Sequence, residues 1–197
     1  MEIHGGRILE ELIDVLDCDG NKTGEIKPRS EIKKAGNYHR AIAVCIVNDK
    51  KEVLMQRRSK NKKVYANLWS IFVKGHVMSG ETSEEACIRE ISEELGISID
   101  KCELKYLYTI KEELIISEDY IERIFFDAFI VHKNIDIKYV KVQEEEVEEV
   151  KLMFYKEIEE LVLNSNCMVP NKNDYEKMFK IIEFRRFILK AKNVINC

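Results

Sequence analysis

Apolar and polar positions recur along this chain in stretches short enough to be read as individual elements. Residues 10–17 carry Leu12, Ile13, Val15 and Leu16. The turn-forming run Asp17-Cys18-Asp19-Gly20-Asn21 and an extended piece at 23–26 follow, a pattern that predicts a hairpin. Pro28 ahead of Arg29-Ser30-Glu31 opens a short helix, which Gly36 ends. A β-branched apolar run at 39–47 predicts a strand, the polar run 48–51 a turn, and 52–56 the next strand. Residues 57–63 are too charged for a strand core, and an apolar run resumes at 68–73 around the only tryptophan, Trp69.

A glycine-bounded loop at 75–80 then leads into a helix at 83–95. Two long strands follow at 104–111 and 121–131, separated by Ser117-Glu118-Asp119, and a further strand at 150–155 runs into helical signal at 156–163. A C-terminal helix spans 174–192, with Met178, Ile181, Ile182, Phe184, Ile188 and Leu189 near helical spacing. Strands and helices interspersed in this way, without a repeat or linker, predict an α+β domain built on a mixed sheet. Its parts are an N-terminal hairpin and short helix at 1–36, a main domain at 37–165 and a C-terminal helical extension at 166–197.

Composition narrows the classes. The 197 residues are 45% hydrophobic and 35% charged with two prolines, which excludes a disordered or fibrous chain. Lys and Arg total 32 against 36 Asp and Glu, a net charge of -4 that argues against binding a nucleic acid polymer. No stretch approaches a membrane span or a secretory leader, so the expectation is a cytoplasmic protein. The six cysteines, at 18, 45, 87, 102, 167 and 197, form no C-x-x-C pair and read as buried free thiols.

The chemistry concentrates on the helix at 83–95. Thr82 and Glu85 make a capping box, Gly96 stands where the chain must turn left-handed, and Cys87, Ile91 and Leu95 fall on a core-facing stripe. Glu85 stands four residues before Arg89, the favourable order for an ion pair. At about 100° per residue, Glu90, Glu93 and Glu94 share an arc of roughly 100°. Such neighbours repel, and a hard divalent cation such as Mg2+ reverses the sign of that term.

From Gly75 to Ile97 the spacing is Gly, five residues, Glu81, seven residues, Arg89-Glu90, an aliphatic, one residue, Glu93-Glu94, one residue, Gly96 and an aliphatic. This stretch resembles the Nudix box at every specified position. The resemblance implies a Nudix-type α/β/α sandwich and hydrolysis of a diphosphate linkage with Mg2+ or Mn2+. It implies metal ligation by Glu90, Glu93 and Glu94, one of them able to act as a base. Arg89 would orient a glutamate, Gly75 would shape the metal-binding loop, and Glu81 would support it. A carboxylate from a later loop would come from Glu144-Glu145-Glu146, with Glu145 the representative.

Beyond the box, residues 10–155 resemble the subgroup related to isopentenyl-diphosphate isomerase. His39, Leu54-Met55-Gln56-Arg57-Arg58, Lys62-Lys63, Leu68-Trp69 and Gly75-His76 carry the likeness. In that isomerase a cysteine stands before the Gly-His pair, and histidines matching His39 and His76 belong to a metal site. Here that cysteine is Lys74, a further expected histidine is Ile32, and Glu90 and Glu93 restore carboxylates that the isomerase box lacks. The resemblance also implies diphosphate contacts from Arg58 and Lys62, and Lys74 stands beside the loop as a third cation. The expected substrate is a nucleoside diphosphate joined to another group, or a similar organic diphosphate, and the assembly it allows is a homodimer. Isomerisation and a non-catalytic ligand-binding module are the rival readings.

Overall fold

Strand alternation at the N-terminus closes the expected hairpin, because Asp17 accepts the backbone N–H of Asp19 and Asn21 through its side chain and fixes the turn. The computed structural model describes residues 3–4, 7–8, 10–118 and 120–195, with side chains over 10–118 and 120–184. Its strands are β1 (Ile3–His4), β2 (Arg7–Ile8), β3 (Leu12–Leu16), β4 (Lys22–Pro28), β5 (Tyr38–Val47), β6 (Glu52–Arg58), β7 (Trp69–Ser70), β8 (Val73–His76), β9 (Leu104–Ser117), β10 (Tyr120–His132) and β11 (Val147–Phe154). The helices are α1 (Arg29–Ala35), α2 (Ser83–Leu95), α3 (Tyr155–Asn164) and α4 (Lys172–Ile195).

The strands give an α+β protein with a large sheet, hydrogen-bonded in the order β11-β6-β5-β10-β9. Strand β3 pairs with β4 and β5, β7 with β6, and β8 with β5. Two compact units share the chain, the first made of residues 1–44, 74–90 and 100–129, the second of 45–73, 91–99 and 130–197.

In the first unit, Ile13, Val15 and Ile32 bury together where the hairpin meets α1. Gly36 ends that helix at φ +63°, its N–H returning to the Ile32 carbonyl. The buried carboxylate of Asp127 accepts two bonds from Arg40 Nη1 (2.8 and 3.0 Å), one from Ser83 Oγ (2.6 Å) and one from Thr109 Oγ1 (2.6 Å). Those four bonds offset the cost of burying the charge and tie β5, α2 and β9 to β10.

In the second unit, β11 runs antiparallel to β6, with Val150 opposite Gln56 and Glu149 opposite Arg57. The charged run expected to end β6 is therefore carried two residues further, because Glu149 accepts Arg57 Nη2 at 2.9 Å across the ladder. The apolar run at 68–73 divides into β7 and β8, since Ser70 Oγ bonds both the N–H and the carbonyl of Phe72 and bends the chain between them. Strands β9 and β10 are each longer than their apolar runs, extending through the polar residues of a long hairpin. Met178 and Ile182 bury as the helical spacing predicts, with Tyr175 stacked on Phe72 (5.8 Å between centroids), whereas Phe184 is exposed. Side chains of Ile188 and Leu189 lie outside the described residues.

Three cysteines correct the expectation of burial. Cys45 and Cys87 are buried, but Cys167 is only partly so, and Cys18 in the hairpin turn and Cys102 in a 3₁₀ turn are exposed, because turn backbone keeps its side chains in water. Cys197 lies outside the described residues. Among the described residues no helix is long and apolar enough to cross a membrane.

Candidate functional site

The loop after β8 and the first turns of α2 belong to the first unit, and their geometry follows from the capping box. Thr82 N–H donates to Glu85 Oε2 (2.8 Å) and Glu85 N–H donates to Thr82 Oγ1 (3.2 Å), as the sequence predicts. Glu85 is thereby committed to the cap, so the expected ion pair with Arg89 does not form.

Arg89 turns instead to the loop. Its Nε donates to Glu81 Oε1 (2.8 Å), its Nη2 to Glu81 Oε2 (3.0 Å) and to the His76 carbonyl (2.9 Å), and its Nη1 to Glu90 Oε1 (2.7 Å). Burial alone would lower the guanidinium pKa, but Glu81 and Glu90 overcome it and hold the charge more firmly than usual. Glu81 also accepts the Met78 N–H at 3.0 Å, so one arginine and one glutamate set the loop's shape. The Glu90 side chain is 13% exposed and lies against Gly75, where a Cβ would overlap its carboxyl group. Glycine is needed here for space. Beside it, the Lys74 ammonium rests 4.2 Å from the centre of the Phe126 ring.

Residues 91–95 at the end of α2 belong to the second unit. Glu93 is exposed. Glu94 is buried, 6% exposed, and its Oε2 accepts Gln56 Nε2 at 3.2 Å. The Glu94 and Leu95 carbonyls accept the N–H groups of Gln143 (2.9 Å) and Lys141 (3.0 Å), which anchors the loop ahead of the acidic run to the helix end. Gly96 takes φ +64° there, as its cap position demands. Glu145 is exposed two residues beyond Gln143, while Glu146 is ion-paired with Lys62. The Arg58 guanidinium donates to the Val64 carbonyl (3.3 and 3.4 Å), closing its own loop. Gly75, Glu81, Arg89 and Glu90 thus converge in one unit, and Glu94, Gln56 and the 141–146 loop in the other.

One set of metal-ligand types among the described residues has its donor atoms within 4.8 Å of one another: His39, His76 and Glu122, in the first unit. The rings of His39 and His76 stack at 5.2 Å and 22°. With Nδ1 of His39 3.3 Å from the Asn37 carbonyl, the proton belongs on Nδ1, and Nε2 turns a lone pair toward Glu122 Oε2 at 3.9 Å. Neither atom has a hydrogen-bond partner among the described residues. Two facing acceptors suit a cation or a water between them, and two imidazoles with a carboxylate suit a borderline divalent ion. The other Glu122 oxygen accepts Lys33 Nζ at 2.5 Å, and Lys33 also donates to Tyr120 Oη at 2.8 Å.

Glu122 was not among the candidates from sequence. Its signal is strand alternation, since Tyr120 and Glu122, two residues apart on β10, meet the same lysine. Gln56 and Phe126 were also missed as contacts of Glu94 and Lys74.

Burial raises the Glu122 carboxyl pKa, but Lys33 overrides it and holds the group below the ordinary carboxylate value. Burial pushes His39 down, so its imidazole stays neutral in the fold while an unfolded His39 protonates near its ordinary pKa of 6.5. The unfolded state therefore binds more protons as pH falls through 6.5, and stability drops with it. Urea midpoints at pH 7, 6 and 5 should fall for the natural protein and fall less for His39→Gln; equal slopes would contradict the assignment.

The NUDIX domain family model matches residues 37–172. Nudix hydrolase 3 of Arabidopsis thaliana is 34% identical over 183 residues, 89% of this chain, which spans only 24% of that relative's length. An uncharacterized Nudix hydrolase of Listeria monocytogenes is 33% identical over 150 residues, covering 75% of this chain and 82% of its own. The isopentenyl-diphosphate Delta-isomerase of Corynebacterium diphtheriae is 35% identical over a shorter 92 residues, 46% of this chain and 50% of the isomerase. A crystal structure of a Deinococcus radiodurans protein superposes with a TM-score of 0.67 at 18% identity, covering 85% of this chain and 98% of that one, so it shares the fold. The chain belongs to the Nudix hydrolase family.

Proposed function

We propose that this chain hydrolyses a diphosphate linkage in a nucleoside diphosphate joined to another group, or in a similar organic diphosphate. The catalytic part is the 37–165 segment, with 1–36 and 166–197 as flanking additions. The observation that carries the reading is that two of three like-charged glutamates on one helix, Glu90 and Glu94, are largely withdrawn from water and held by specific donors, Arg89 and Gln56. A solvated surface helix would leave all three in solvent, since burying a carboxylate is costly.

By the resemblance to the Nudix box the ligands would be Glu90, Glu93 and Glu94 with the Gly75 carbonyl and Glu145, and carboxylate and carbonyl oxygens are the hard donors that Mg2+ or Mn2+ takes. When bound, such an ion neutralises phosphate charge and lowers the pKa of a water to make it a nucleophile. The protein's own part is orientation: Glu81 fixes Arg89 and Arg89 fixes Glu90, while Glu93 is exposed to solvent. Lys74, Arg58 and Lys62 supply positive charge to the substrate phosphates.

A product-resolved screen of diphosphate compounds with Mg2+ and Mn2+ tests this reading. It should give phosphorylated fragments only when metal is present. The gathered His39, His76 and Glu122 favour a second reading, allylic diphosphate isomerisation, against which Lys74 supplies no thiol acid. Isopentenyl diphosphate that gains deuterium from solvent without losing diphosphate, alongside an empty hydrolysis screen, would replace the first reading with the second.

A further inference from the structure

We propose that Gln56 is a positioning residue for the glutamate helix. Its side-chain amide N–H holds the Glu94 carboxylate in one orientation, and its amide oxygen is left to accept a hydrogen bond from a water beside that carboxylate. The inference rests on the hydrolase reading above.

Gln56 lies inside β6, with Val150 of β11 opposite it on one side and Ser70 of β7 on the other, so its backbone is held by two strands. The side chain is 5% exposed. Nε2 donates to the Phe72 carbonyl at 3.1 Å and to Glu94 Oε2 at 3.2 Å. Both neighbours are acceptors, so the amide has only one workable orientation; the flipped form would set its oxygen against two oxygens. That orientation leaves Oε1 buried without a hydrogen-bond partner among the described residues.

An orphaned buried acceptor in a native core calls for a reason. Phe72 does not supply one, because its carbonyl already accepts Ser70 Oγ at 3.1 Å and an apolar side chain at position 56 would leave it satisfied. Glu94 does supply one, since a buried carboxylate meant to meet a cation needs its unused lone pairs engaged and its rotamer fixed. Oε1, on the same planar amide that holds Glu94, is where a polar, buried water finds an acceptor.

The test is Gln56→Met, which keeps length and burial while removing both the donor and the orphaned acceptor. Loss of an outer-shell hydrogen bond of this kind lowers metal affinity or activity by about 10- to 100-fold. Mn2+ binding, followed by the electron paramagnetic resonance of the free ion, should weaken within that range, and kcat on the best substrate of the screen should fall while KM stays within about twofold. Gln56→Asn, whose amide is one methylene too short to reach Glu94, should behave alike and covers the case in which the methionine variant does not fold. Ser70→Ala perturbs the same buried turn without touching Glu94 and should leave Mn2+ affinity and kcat near those of the natural protein.

Natural Mn2+ affinity and kcat in either position 56 variant would overturn the proposal, as would a fall in melting temperature as the sole effect. A screen in which the natural protein cleaves no diphosphate with Mg2+ or Mn2+ would instead remove the hydrolase reading itself, while Mn2+ affinity still reports on Gln56, which separates the two failures.

Discussion

Glu94→Gln is expected to lower kcat/KM on a cleaved diphosphate by about a thousandfold, on the order of 4 kcal/mol of transition-state stabilisation, and Glu93→Gln by a similar factor. The two substitutions differ in what they do to the fold. Glu94 is buried beside Gln56, so a neutral side chain of the same shape relieves the cost of a buried charge, and thermal stability should hold or rise. Glu93 is exposed, so its replacement should leave the melting temperature unchanged. A large activity loss with intact stability at both positions is the signature of groups selected for chemistry. Steady-state rates with Mg2+ and Mn2+, together with thermal melts, provide the check; rates that survive both changes would remove the glutamate helix from the mechanism.

What could be read from the sequence divides along the range of the interactions. Thr82 with Glu85, Gly36 and Gly96, and the stripe of Cys87, Ile91 and Leu95 are governed by contacts within one turn of chain, and each stands where local pattern puts it. Arg89 shows the limit of that reasoning. Local spacing offered Glu85 as its partner, but the cap had already claimed that carboxylate, and the guanidinium folded back eight residues to Glu81. Gln56 with Glu94, and Glu122 with Lys33, are farther apart still, 38 and 89 residues in sequence, and depend on strand pairings that no local pattern encodes. Arg57 and Arg58 belong to the same class, because a charged run remains in a strand once Glu149 faces it across the ladder.

Gly75→Ala should reduce kcat by about 100-fold, the order expected when a reacting group is displaced by roughly 1 Å. Gly75 has an ordinary backbone conformation for β8, so the effect is one of space rather than of φ. A methyl group there would overlap the Glu90 carboxyl and its Cγ. Glu90 cannot simply stay and tolerate the contact. It must swing away from Gly75 and from Arg89 Nη1, now 2.7 Å distant. Arg89 keeps its bonds to Glu81 and the His76 carbonyl, so the loop and the helix should remain folded and the melting temperature should fall only slightly. The decisive measurement is the cycle with Glu90→Gln. If Gly75 acts through Glu90, the double variant should be no slower than Glu90→Gln alone, a strongly non-additive result for two groups in contact. Additive losses would mean that Gly75 serves the reaction by a route independent of Glu90, and the steric account of this glycine would then be wrong.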